Sequence, residues 1–164
     1  ISLATPIQHA AAMGYSNFEK LDEYLSLTNT IHQMATMLIY DLLKGFENVA
    51  IFEPQAAFYI TVDLNAFKEE LNSKRIFSSL DFVEYAIQDP YNIAIVPGST
   101  LGLNENEFVF RFAAVDYSAH EILHEFSRPE EITANKAFII SKYFSNISLG
   151  INRFKQLLNE VTSP

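Results

Sequence analysis

The chain has 164 residues, 49% of them hydrophobic and 19% charged, a composition that suits a folded domain with a sizeable core and excludes a disordered chain. Its formal net charge of −9, with no basic stripe, argues against a nucleic-acid partner, and the lack of cysteine excludes disulfides, thiolate metal sites and cysteine nucleophiles. No apolar run approaches the roughly 18 residues needed to cross a bilayer, and no signal peptide is visible, so a cytoplasmic protein with no membrane partner is expected. The first residue is Ile1 rather than methionine, which reads as a fragment or a trimmed product.

Residues 3–14 look helical, with Ala10, Ala11 and Ala12 favouring that state and Gly14 ending it. Ser16 and Glu19 form a capping-box pattern that opens a second helix. Phe18, Leu21, Leu25, Thr28, Ile31, Ala35, Leu38 and Leu42 then recur at spacings of three and four. This predicts an amphipathic helix of roughly seven turns, closed by Gly45. Met34, Met37, Ile39 and Leu43 widen its apolar face, so it should pack on two things at once.

A short strand follows near Val49–Phe52, a break at Pro54, then a strand over Ala57–Leu64 and a short helix over 66–71. Ser78 with Asp81 caps a further helix, which stops before Pro90. Residues 92–96 read as a strand, Pro97-Gly98 as a tight turn in which glycine allows positive φ, and Phe108–Ala114 as another strand. Ser118 and Glu121 repeat the capping pattern for a helix to Phe126. From Pro129 the chain reads as helical to about Val161, with a bend near Asn146 or Gly150. The expected fold class is α+β: a small, mostly antiparallel sheet packed with helices and preceded by a long connecting helix.

One residue in this pattern carries chemistry. Arg111 sits alone in the apolar run Phe108-Val109-Phe110-Arg111-Phe112-Ala113. Strand alternation places it opposite the three phenylalanines and beside Val109 and Ala113, whose small side chains leave room for a ligand. A guanidinium there needs an anion. Either an internal carboxylate such as Asp63 or Asp116 supplies it, or a ligand carboxylate meets the planar fork.

Other candidates are weaker. His120 and His124 share a helix face at i and i+4, but Glu121 and Glu125 beside them do not make the zinc-protease spacing, and no metal site is expected. His9 and His32 complete the histidines without a motif. Glu19, Asp22 and Glu23 read as a solvated helix start. No Gly-x-Ser-x-Gly nucleophile elbow and no phosphate-binding glycine pattern occurs.

Val96-Pro97-Gly98-Ser99-Thr100-Leu101-Gly102 followed by Phe108–Ala113 resembles the C-terminal part of class I/II aminotransferases, pyridoxal-phosphate enzymes of fold type I. Pro54-Gln55-Ala56-Ala57-Phe58-Tyr59-Ile60 resembles the Pro-x-Gly-Ala-Phe-Tyr strand of that family. Pro6-Ile7-Gln8-His9-Ala10-Ala11 is similar to the Gln-x-Ala-Ala segment where its large domain ends. The three landmarks come in the family's order and spacing. The departures are Ala56 for glycine, Leu101 for phenylalanine, and Ala113 for serine or cysteine.

The resemblance implies that 1–45 is the end of a large domain with the interdomain helix, and that 46–164 is the C-terminal small domain. It implies that Arg111 binds the substrate α-carboxylate, and that Pro97, Gly98 and Ser99 form a pocket loop. Substrates would be an amino acid and a 2-oxo acid, and partners the large cofactor domain and a second subunit of a homodimer. Neither Ser73-Lys74 nor Ser141-Lys142 has the setting of the family's Schiff-base lysine. The chain by itself would then hold no pyridoxal 5'-phosphate, contain no catalytic residue and be inactive. A related pyridoxal-phosphate lyase or synthase shares the scaffold. A stand-alone, non-catalytic binding or regulatory module is the alternative of a different class; it would lack the exposed apolar patch on 3–43 that a domain interface leaves.

Overall fold

The computed structural model describes residues 3–163, Lys20 by its backbone alone. Two helices come first, α1 (Thr5–Tyr15) and α2 (Phe18–Leu43). Strands β1 (Ala50–Ile51) and β2 (Tyr59–Asp63) precede α3 (Lys68–Ser73) and α4 (Ser79–Ala86). Strands β3 (Val96–Pro97) and β4 (Val109–Ala113) precede α5 (Ala119–Glu125), α6 (Pro129–Ala134), α7 (Lys136–Tyr143) and α8 (Ser145–Thr162). The fold is α+β, with a four-stranded antiparallel sheet in the order β1-β2-β4-β3.

Alternation builds the sheet. Ile60 and Val62 of β2, with Phe110 and Phe112 of β4, turn to one face and are buried. Phe110 packs on Phe82 of α4 with ring centroids 4.7 Å apart, and Phe112 on Phe154 of α8 at 4.9 Å. Such pairs are worth about 0.5–1.5 kcal/mol beyond the area they bury. The second half of α2 joins this core through Ile31, Met34, Ala35, Ile39 and Leu43. There it packs on the sheet and on α8 and α6, as its broad apolar face predicts.

All of α1 and the first turns of α2 lie outside the core, which α2 first meets at Leu27. No residue of α1 is buried. Leu3, Ile7, Met13, Tyr15, Phe18, Tyr24 and Leu25 are exposed, Met13 at 76% and Phe18 at 73%.

Local chemistry departs from the sequence pattern in several places. The Ser78/Asp81 capping box forms in full. The other two capping patterns do not. The Ser16 hydroxyl donates back to the Ala12 carbonyl, leaving Asn17 to precede α2, and Ser118 makes no cap bond. The predicted strand over 92–96 pairs only at Val96, because Asn92 has φ +53° and the Ile93 N–H donates to the Ala86 carbonyl at 2.9 Å. The C-terminal helix breaks at Asn135 and Phe144 rather than bending at Asn146 or Gly150. At the first break the Asn135 amide donates to the Glu131 carbonyl, a side-chain bond that competes with the helix, and at the second Phe144 is fully buried.

The two capping outcomes predict different mutant costs. Ser78→Ala should lose about 1 kcal/mol of unfolding free energy, whereas Ser118→Ala should lose a few tenths at most. Urea denaturation of both variants measures the contrast.

Candidate functional site

Arg111 is the middle of a three-residue row across the sheet, between Thr61 of β2 and Val96 of β3. This row lies on the face opposite the phenylalanine core, together with Tyr59, Val109 and Ala113. The guanidinium carbon sits 4.2 Å from the centroid of the Tyr59 ring. Tyr59 packs in turn on Phe58 at 4.3 Å. An arginine over an aromatic face gains about 0.5–2 kcal/mol, depending on desolvation.

No carboxylate among the described residues neutralises it. Among the described residues the ion pairs are Lys44–Asp41, Arg128–Glu131 and Lys142–Glu125. Asp63 instead accepts the Asn65 N–H at 2.7 Å, and Asp116 accepts from the Asn146 amide at 3.3 Å. Neither aspartate forms an ion pair with Arg111. Arg111 Nε is buried without a hydrogen-bond partner, a situation that costs stability unless something compensates it.

The segment Pro97-Gly98-Ser99 follows Val96, the β3 partner of Arg111. Pro97 pairs with Phe110 and is buried, as is Gly98. The two Ser hydroxyls of Ser79 and Ser99 meet at 3.1 Å, which ties the segment to the start of α4. Gly98 opens a short 3-10 turn, Gly98–Leu101, and the left-handed position falls at Gly102, with φ +94°. Glycine is needed at 98 for space: a Cβ there would lie 2.8 Å from the Val109 carbonyl oxygen and 2.9 Å from Leu103.

A groove of about 450 Å³ lies between α2 and Pro54–Ala57, lined by Ser26, Asn29, Thr30, His32 and Gln33. Sequence reasoning attached no role to these residues. Ala57 is held at φ +62°, a strained value for a residue with a Cβ. His32 packs on Phe58, and its Nδ1 lies 2.7 Å from the Tyr117 hydroxyl. Burial lowers the His32 pKa and pushes that of Tyr117 up to about 12. Both groups are thus neutral at pH 7. A phenol is the better donor and an unprotonated ring nitrogen the better acceptor, so Tyr117 donates to Nδ1 and the imidazole proton rests on Nε2.

The remaining sequence candidates do not assemble a site. The His120 and His124 rings are 5.8 Å apart on α5, and no group of three or more metal-ligating side chains occurs among the described residues. The two Ser-Lys pairs lie in helical regions away from Arg111's strand. Lys74 lies exposed just past α3, and Lys142, inside α7, is bound to Glu125 at 2.9 Å. Neither belongs to the sheet that carries Arg111. No helix among the described residues is long and apolar enough to cross a membrane. No protein-family model matches the chain, and no curated protein sequence matches it.

The neutral His32 predicts a pH dependence. Its folded pKa lies below the unfolded value near 6.5, so the unfolded chain binds more protons in the interval between the two. The stability this group contributes is complete above about pH 6.5 and is lost as the pH falls toward the lowered folded value. Thermal melts of His32→Gln should show a shallower loss between pH 7 and 5 than melts of the parent chain.

Proposed function

We propose that this chain is the C-terminal small domain of a pyridoxal-phosphate-dependent aminotransferase, and that Arg111 is its receptor for the substrate α-carboxylate. The observation that carries the reading is Arg111 on the free face of the sheet, backed by Tyr59 and without a carboxylate partner among the described residues. A guanidinium so placed suits a planar anion. The order of the three sequence landmarks adds support, since Tyr59 and Arg111 belong to two of them.

Arg111 would fix one end of an amino acid or a 2-oxo acid, and such positioning supplies much of the advantage of a bound reactant. The groups that hold the cofactor and move protons would belong to a large domain outside this chain, in a cytoplasmic homodimer. Reaction type would be decided there.

The stand-alone module remains the competing reading, and the N-terminal surface discriminates between them. Seven exposed side chains between Leu3 and Leu25 are large, apolar and close in sequence. Such a surface suits a stretch covered by another domain better than a free-standing module.

The sequence encoded before Ile1 tests the reading. A Schiff-base lysine in a large domain there is the expected finding, and about two hundred upstream residues without one would reject it. In that parent enzyme, Arg111→Ala should lower kcat/KM by a factor of roughly a hundred to a thousand, as expected for loss of a charge-assisted contact. A fall of less than about tenfold would remove Arg111 from the substrate site.

A further inference from the structure

An arginine can take a carboxylate in two ways: side-on through Nε and one Nη, or end-on through both Nη atoms. The side-on edge of Arg111 is closed. Its Nε is buried and has no partner, and the guanidinium carbon lies 4.2 Å from the centroid of Tyr59. Tyr59 is itself backed by Phe58 at 4.3 Å, which packs on His32 at 5.3 Å, and His32 is held by Tyr117. The ring beneath the guanidinium is therefore seated on a packed row and not on a freely rotating side chain.

From this we infer that Tyr59 is a positioning residue that fixes the guanidinium of Arg111 so that only its two Nη atoms are offered, making the site a receptor for one carboxylate bound end-on. This rests on the carboxylate reading given above, and it adds which edge binds and what holds it. The ring face does the work through cation–π attraction, not through the phenolic oxygen. Removing the hydroxyl should leave the site intact, whereas removing the ring should free the guanidinium to rotate and uncover Nε.

Nitrogen-15 NMR of the arginine side chains, with sodium pyruvate as the probe, tests this on the chain as it stands. Pyruvate is expected to move the Arg111 Nη resonances and leave Nε in place. Tyr59→Phe should reproduce both the affinity and that pattern. Tyr59→Leu should weaken pyruvate binding about threefold to tenfold and bring Nε into the response. Tyr59→Thr, which keeps a strand-favouring residue at this half-exposed position, serves if the leucine variant is poorly folded. Arg111→Lys separates the positioning role of Tyr59 from carboxylate binding itself. If Arg111→Lys abolishes binding while Tyr59→Leu binds like the parent, the positioning role is wrong and the carboxylate reading stands. If pyruvate shifts Nε in the parent chain, the end-on assignment is overturned. If pyruvate moves no Arg111 resonance, or Arg111→Lys binds equally well, both fall.

Discussion

The register between β2 and β4 is the constraint on which the rest depends. Ile60 opposite Phe112 and Val62 opposite Phe110 place four apolar side chains on one face, and α4 and α8 cover them. A slip of one residue would bring Arg111 and Thr61 to the core and send the phenylalanines to water. Burying the guanidinium unpaired and exposing large rings would each cost several kcal/mol, so the register is strongly specified. The same alternation that makes the core thus delivers Arg111 to the free face without any dedicated interaction.

Around this frame the polar groups divide into two kinds. Those near the ends of strands and helices are consumed by local geometry: Asp63 turns the chain after β2, Asn65 receives the Phe108 N–H, and Ser79 holds Ser99. The last of these ties the turn over 98–101 to the start of α4. Arg111 and His32 are of the other kind. Each is backed by an aromatic ring and keeps a polar edge without a carboxylate partner. That distinction sets Arg111 and His32 apart from the turn after β3, where Ser79 and Ser99 satisfy each other.

Much of this was legible in the order of residues, for reasons specific to each element. The α2 stripe and the period-two alternation of β4 are long patterns that tertiary contacts reinforce, so helix, strand and the side taken by Arg111 followed from them. Strand 92–96 failed because one hydrogen bond from Ile93 to α4 outweighs its β-favouring composition. The caps at Ser16 and Ser118 failed because a serine hydroxyl has several local acceptors, and spacing cannot say which it will choose. Tyr59 beneath Arg111 was hidden for a deeper reason: the two residues lie 52 positions apart, and only the β2–β4 register brings them together. The His32–Tyr117 pair, 85 residues apart, was hidden in the same way.

Helix α2 has one further property. Its 26 residues span roughly 39 Å at the usual rise per residue. The C-terminal half is clamped in the core while the first turns stand clear, and no proline or glycine interrupts the span. A continuous helix of this kind is a stiff lever with its fulcrum in the core. Any body seated on the free arm would swing with the sheet as one piece, and a few degrees of rotation at the fulcrum would become ångströms of travel at the tip.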